Sequence, residues 1–324
     1  MLEVKQVASL IEQHILDAGF PIEPTGLYGP ARYILNAGGK RIRPCLALMC
    51  ANLFTDNPTP QIPVALAMEV FHNFTLVHDD IMDKAPVRRG LQTVHEKWNI
   101  HTGILSGDVM MIQSYKLLCQ ADAAYLVQLL NMFNTTAMQV CEGQQLDMDF
   151  ETRVDVNLQE YINMITNKTS VLLGASMYCG AIAAGAGEID ANLLYKAGLE
   201  LGVSFQIQDD VLDAYGDEIK FGKKPGGDIV QQKKTFLILK ALEKASPPDK
   251  QTLIDVYHSK STNEAEKITK VLQLFDKYQI KAEAELLMQT YYDSAIVALQ
   301  KVSVPEANKR PLYELVTSLF GRSH

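Results

Sequence analysis

The 324-residue sequence has no stretch rich in Pro, Gly, Ser or charge that is long enough to act as a linker, so a single domain over residues 1–324 is expected. It also lacks any apolar run approaching the ~20 residues that a bilayer requires. Val171–Leu173 and Ala181–Ala184 are soon interrupted by Gly or polar residues, so no membrane span is expected. The opening Met1-Leu2-Glu3-Val4-Lys5-Gln6 lacks the basic, apolar, small-residue order of a signal peptide, which predicts a cytoplasmic protein. Cysteine is scarce: Cys45, Cys50, Cys119, Cys141 and Cys179 include no CxxC pair. An odd, scattered set in a large chain argues against a disulfide framework and reads as small core residues. An excess of basic residues is missing too. With 30 Lys and Arg against 38 Asp and Glu, the net charge is -8, which argues against nucleic acid as a partner.

What the sequence does have is ordinary globular composition, 47% hydrophobic and 21% charged, enough for a sizeable core. Strand-like alternation is rare and helical spacing dominates, as in Val7, Leu10, Ile11 and Ile15, or Leu118, Ala121, Tyr125 and Leu129. Gly19 to Pro24, Thr55 to Pro63 and Ser246-Pro247-Pro248-Asp249 punctuate these helices. The fold class predicted is all-α.

One motif is used twice, about 130 residues apart: Asp79-Asp80-Ile81-Met82-Asp83 and Asp209-Asp210-Val211-Leu212-Asp213. Each follows a long apolar helical pattern. On a helix the first and last Asp of DDxxD are an i, i+4 pair with Cβ atoms about 5–6 Å apart, so negative charge gathers on one face. Asp is a poor interior residue and like charges at that spacing repel, so the pattern favours a hard cation there. Magnesium typically uses one or two carboxylates and completes its shell with water and substrate phosphate. A lone cluster would fit a solvated helix end equally well. Two clusters, each followed by basic residues, fit a diphosphate clamp better. Lys84, Arg88 and Arg89 follow the first; Lys220, Lys223, Lys224, Lys233 and Lys234 follow the second. A third basic segment, Gly38-Gly39-Lys40-Arg41-Ile42-Arg43-Pro44, offers paired glycines that let backbone approach an anion, with Lys40 and Arg43 to hold it.

In this order, together with Gly107-Asp108, Lys168-Thr169, Phe205-Gln206-Ile207-Gln208, Gly222-Lys223 and Lys233-Lys234-Thr235, the segments resemble the trans-prenyl-diphosphate synthase family, which includes farnesyl and geranylgeranyl diphosphate synthases. The resemblance covers nearly the whole chain. It implies a single large helical bundle of the isoprenoid synthase type I fold around a deep central cavity, assembled as a homodimer. It implies magnesium, as three ions with substrate bound. Asp79 and Asp83 would ligate it with Asp80 nearby, and Asp209 would ligate a further ion with Asp210 and Asp213 in its shell. Lys40, Arg43, His72 and Arg89 would bind isopentenyl diphosphate. Arg88, Lys168, Lys223 and Lys233 would bind the allylic diphosphate, with Thr169 and Gln206 beside the reacting carbon. Lys224 and Lys234 each allow a one-residue slip from Lys223 and Lys233. Without the resemblance, His72 on an apolar face would read as core. The C-terminal Gly321-Arg322-Ser323-His324 resembles a basic tail that some members use to close the site.

The implied reaction is prenyl transfer: the allylic diphosphate leaves, the isopentenyl double bond attacks the resulting cation, and a proton is lost to the departing diphosphate. Product length would be set below the first cluster by Phe74, five residues before Asp79, with Thr75 and Phe71 nearby. An aromatic at the fifth position argues against long polyprenyl chains. Thr75 at the fourth position, and no insertion in the cluster, favour the C20 product, geranylgeranyl diphosphate, over the C15 product of a farnesyl diphosphate synthase. Terpene cyclases generally lack the Gly-Gly-Lys-Arg segment, and non-catalytic partner subunits typically lose an Asp cluster. Both features are present here.

Overall fold

A computed structural model describes residues 2–16, 18–216, 225–259 and 263–320. The helices are α1 (Val4–Ile15), α2 (Thr25–Asn36), α3 (Ile42–Ala51), α4 (Ile62–Met82), α5 (Val94–Lys97), α6 (Ile100–Leu118), α7 (Ala123–Thr152), α8 (Leu158–Ile165), α9 (Val171–Ala183) and α10 (Glu188–Tyr215). They continue as α11 (Gly227–Gln231), α12 (Phe236–Lys244), α13 (Pro247–Tyr257), α14 (Glu264–Lys277), α15 (Ile280–Gln300) and α16 (Glu306–Phe320). The expected all-α class holds. The one departure among the described residues is a hairpin, β1 (Val87–Arg88) and β2 (Leu91–Gln92), antiparallel with Arg88 opposite Leu91. Its two-residue loop, Arg89-Gly90, has φ of 53° and 75°, the positive pair of a type I′ turn. The strands are too short for alternation to betray them.

Two compact units are present: Met1–Thr135, Leu172–Gly198 and Ala298–His324 form one, Thr136–Val171 and Leu199–Val297 the other. In the first, α4 is the central element, packed against α6, α3 and α1. Pro63 sits in its first turn, where no intrahelical donor is needed, and apolar residues follow on nearly every face from Val64 to Val77. A helix apolar all round is stable only when enclosed. That enclosure gives α4 a fixed position from which its last turn presents Asp79, Asp80 and Asp83. α6 is capped by Asn99, whose side chain accepts from the Thr102 N–H.

The second unit has its own core, in which Tyr161, Ile207, Val211, Phe236, Leu253, Val271 and Phe275 are buried together. α8 opens on a reciprocal capping box between Asn157 and Glu160. It runs into a π-helical turn, Thr166–Ser170, before α9.

Two sequence expectations need correction. Leu118, Ala121, Tyr125 and Leu129 do not share a helix: α6 ends at Leu118 and α7 starts at Ala123. Helical spacing carries across a short break without marking it. Cys45, Cys50 and Cys179 are buried, but Cys119 and Cys141 are exposed, so the five are not uniformly core; all are free thiols.

Candidate active site

In the first unit the basic loop, α4 and the hairpin meet. Gly39 has φ +130°, and a Cβ there would lie 2.9 Å from the Arg89 guanidinium carbon. Arg89 lies against the loop backbone and donates to the Gly38 carbonyl. Gly39 therefore makes room for an arginine, which in turn would face an anion. Arg41 takes a left-handed conformation, φ 46°, uncommon for a side-chain-bearing residue. It is held there by Glu69 Oε1 at 2.8 Å, Glu12 Oε1 at 3.1 Å and the Leu35 carbonyl. Asn73 Nδ2 also donates to Glu69, at 3.0 Å. This buried group pins the loop to α4, so that Lys40 is exposed and Arg43 half-buried on either side of it.

Arg43 Nε is buried and has no hydrogen-bond partner. Burial, opposed by the Glu69 charge and reinforced by that of Arg89, pulls its guanidinium down to about 10. His72, immediately before Asn73 on α4, is held well below its ordinary value by burial and then by the charges of Arg43, Arg89, Arg88 and Arg41. An imidazole kept neutral by burial and surrounding guanidinium charges, together with a buried arginine donor that has no hydrogen-bond partner, is an environment suited to an anion.

The first Asp cluster forms the end of the same helix. Asp83 is the C-cap residue of α4, and its N–H bonds the Asp79 carbonyl at 2.8 Å. Carboxylates at the negative end of a helix dipole gain nothing from it, so a cation there is doubly favoured. Arg88 supplies one: Nε lies 2.6 Å from Asp80 Oδ1 and Nη2 3.5 Å from Asp79 Oδ2. Asp80 is fully buried, and burial raises its carboxyl above the ordinary value against the pull of Arg88. Its Oδ2 is buried with no donor, a geometry that suits a hard cation. Asp79 is half-buried and Asp83 exposed, so these two are the more open carboxylates of the cluster. Among the described residues no three Asp, Glu, His or Cys side chains already form a metal cage. A magnesium ion here would take phosphate and water for the remaining positions, its usual habit.

Below the cluster, Phe74 is buried and meets His78 edge-on at 4.8 Å and Phe71 at 5.4 Å. Phe71 in turn meets Phe133 at 5.0 Å, and Phe133 meets Tyr115 at 5.0 Å. Phe74 thus belongs to a continuous aromatic wall, while half-buried Thr75 bonds back to the His72 carbonyl at 2.8 Å.

In the second unit the π turn places Lys168 and Thr169, consistent with the frequent use of such turns at functional sites. Gly143 of α7 lies directly against the Lys168 backbone, a contact that any Cβ would block. Lys168 Nζ is 2.6 Å from Asp147 Oδ2, and Thr169 Oγ1 donates to Gln206 Oε1 at 3.2 Å. The second Asp cluster divides by environment. Asp209 is exposed. Asp210 is buried and turned inward: Oδ2 accepts from the Tyr161 hydroxyl at 2.6 Å and the Phe236 N–H at 2.8 Å. Burial pushes its carboxyl well above the ordinary range. Asp213 Oδ2 accepts from the Asp228 N–H at 2.9 Å and so ties α11 to the end of α10. Asp210 and Asp213 therefore hold the local backbone, and Asp209 is the member that faces outward.

Of the residues expected from sequence, Lys40, Arg43, His72, Arg88, Arg89 and the first Asp cluster lie in the first unit. Lys168, Thr169, Gln206, the second cluster and Lys233 lie in the second. Lys223, its alternative Lys224 and the C-terminal Arg322 fall outside the described residues. Arg41, Glu69, Asp147 and Tyr161 were not anticipated. Glu69 could have been noticed as a lone carboxylate within the apolar run of α4; nothing local marks Tyr161.

A sequence model of the polyprenyl synthetase family matches residues 24–275. A geranylgeranyl diphosphate synthase of Sulfolobus acidocaldarius is 37% identical over 281 residues, 86% of this chain and 84% of that one. A geranylgeranyl pyrophosphate synthase of Geoglobus acetivorans is 35% identical over 323 residues, 99% and 98% of the two chains. The solved structure of a geranylgeranyl pyrophosphate synthase superposes with a TM-score of 0.95 at 41% identity, covering 100% of each chain.

Proposed function

The chain belongs to the polyprenyl synthetase family and is a prenyltransferase; we propose that it condenses isopentenyl diphosphate with C5 to C15 allylic diphosphates to form geranylgeranyl diphosphate. The observation that carries this reading is the orphaned Arg43 Nε together with His72, which burial and arginine charges keep neutral and which lies on the helix that ends in Asp79 and its C-cap Asp83. Lys40, Arg43, His72 and Arg89 hold isopentenyl diphosphate. Arg88, Lys168, Lys233 and Lys223 hold the allylic diphosphate, and Arg88 must release Asp80 in part to do so. Asp79, Asp83 and Asp209 would ligate magnesium, with the orphaned Oδ2 of Asp80 beside the first ion, while Asp210 and Asp213 hold the backbone of the second cluster. Magnesium, when bound, neutralises charge that builds on the leaving diphosphate. Thr169 and Gln206 turn oxygen atoms toward the allylic carbon as it becomes cationic, and the isopentenyl double bond attacks it. The proton released from the condensed product passes to the departing diphosphate. The aromatic wall of Phe74 and Phe71 excludes water from the cation and stops chain growth.

Domain and assembly follow the same reading. The family match at 24–275 includes residues of both units, which supports one polyprenyl synthetase domain. Leu105 and Ile112 of α6, seven residues apart on one face, are 58% and 57% exposed, with Ile104 and Met111 alongside. An apolar face of this kind supports a homodimer. Among the described residues no helix is long and apolar enough to cross a membrane. A cytoplasmic location remains part of the proposal.

The test is to incubate purified protein with magnesium, labelled isopentenyl diphosphate and C5, C10 or C15 allylic partners, and to separate products by length. Growth to C20 supports the proposal, arrest at C15 makes the protein a farnesyl diphosphate synthase, and no elongation refutes it.

A further inference from the structure

A cavity of about 620 Å³ opens in the second unit, walled by Val156, Leu158, Ile238, Leu242, Ile254 and Tyr257. None of these belongs to the proposed catalytic set, and the volume lies within the usual range of small-molecule sites, about 300–1,000 Å³. Among the described residues the charges around it do not balance locally. Asp155 and Glu243 line it but are engaged, by Arg153 Nε at 2.9 Å and Lys240 Nζ at 3.0 Å. Lys234 and Lys250 also line it, and neither makes an ion pair among the described residues. Lys234 is half-buried, and burial draws its ammonium below the ordinary lysine range. An apolar basin with an uncompensated ammonium at its side favours an apolar chain that ends in an anion.

The cavity wall is bonded to the second Asp cluster. The Tyr257 hydroxyl donates to the Lys233 carbonyl at 2.5 Å, and the Lys233 N–H donates to the Asp228 carbonyl at 3.0 Å. The Asp228 N–H bonds Asp213, and the nearby Phe236 N–H bonds Asp210. Movement of Tyr257 is therefore transmitted to the backbone that orients the cluster.

We propose that this cavity is a regulatory site for an anionic amphiphile, an apolar chain carrying a phosphate or carboxylate head, which acts on the second Asp cluster through Tyr257. The occupant is either an isoprenoid phosphate, the product included, or a fatty-acid anion. Binding does not depend on the proposed activity; the inhibitory effect rests on it.

The experiment is calorimetric titration of the full chain with dodecyl phosphate and with dodecanoate, inorganic diphosphate and magnesium being present to occupy the catalytic anion sites. Leu242→Trp fills the basin and Lys234→Met removes the ammonium. Either probe should bind the parent protein at one site, and each variant should weaken that binding about tenfold or more. Tighter binding of the phosphate identifies the isoprenoid source, tighter binding of the carboxylate the fatty-acid source. The bound probe should lower turnover in a manner that saturating allylic diphosphate does not reverse, and Leu242→Trp should keep full turnover with the probe present. Unchanged affinity in both variants overturns the site. Inhibition fully relieved by allylic diphosphate overturns the coupling. If the protein does not elongate any substrate, the calorimetry still decides the site on its own.

Discussion

Replacing Glu69 by Leu removes the residue on which the Arg41 turn depends. Arg41 Nη1 lies 2.8 Å from Glu69 Oε1, and the two side chains are only 4% and 2% exposed. At an effective dielectric constant of about 20, unit charges at that distance attract by about 6 kcal/mol. Desolvation of both groups offsets much of this, so the pair itself adds little net stability. Deleting one partner is different, because the surviving guanidinium stays buried; such deletions cost about 3–5 kcal/mol. Glu12 remains at 3.1 Å but is half exposed, which places the expected loss near the lower end, about 3 kcal/mol. The assay is urea denaturation followed by circular dichroism for the parent, Glu69→Leu, Arg41→Met and the double variant. Each single variant should lose about 3 kcal/mol, and the double should lose less than their sum by about 2 kcal/mol or more. Because the turn carries Lys40 and Arg43, KM for isopentenyl diphosphate should rise in both single variants while KM for the allylic substrate stays near the parent value. Losses under about 1 kcal/mol, or strictly additive ones, would refute the claim that this ion pair fixes the loop.

Phe74→Ala should extend products beyond C20, read by product chromatography, because it removes the member of the aromatic wall nearest the cluster; an unchanged distribution would place the floor elsewhere. Asp79→Ala and Asp209→Ala should each lower turnover at least about a hundredfold, and retained activity in either would remove that cluster from the metal site. Gly143→Ala forces a methyl group into the Lys168 backbone, so it should lower the melting temperature and destabilise by about 1–3 kcal/mol; an unaltered melting curve would mean that α7 yields freely. His72 is held below its usual 6.5 in the folded protein, whereas the unfolded chain protonates near that value. Stability is therefore fully present above about pH 6.5 and declines as pH falls below it, and His72→Gln should flatten that decline in pH-dependent melting. A variant with the parent slope would show that His72 is not the group responsible.

The sequence by itself determined the helical class, since a period of 3.6 and its Gly and Pro punctuation are local properties. It also determined that each Asp cluster gathers negative charge, because i, i+4 spacing puts carboxylates on one face wherever the helix lies. Lys40, Arg43, Arg88 and Arg89 stood out as basic candidates from residue type and order. Only the tertiary structure decided how these groups differ from one another. Asp79 and Asp80 are adjacent in sequence, but enclosure of α4 buries Asp80 against Arg88 and leaves Asp79 half-open. Asp209 and Asp210 are likewise adjacent, and Tyr161, 49 residues away, draws Asp210 inward. Lys233 and Lys234 could not be told apart in sequence; the fold turns Lys234 toward the cavity and bonds the Lys233 backbone to Asp228. Burial and long-range partners set these roles, and they depend on which distant residue arrives at each face, which no local spacing encodes. The paired aspartates gather negative charge, and the packing around them decides which oxygens are enclosed and which stay open.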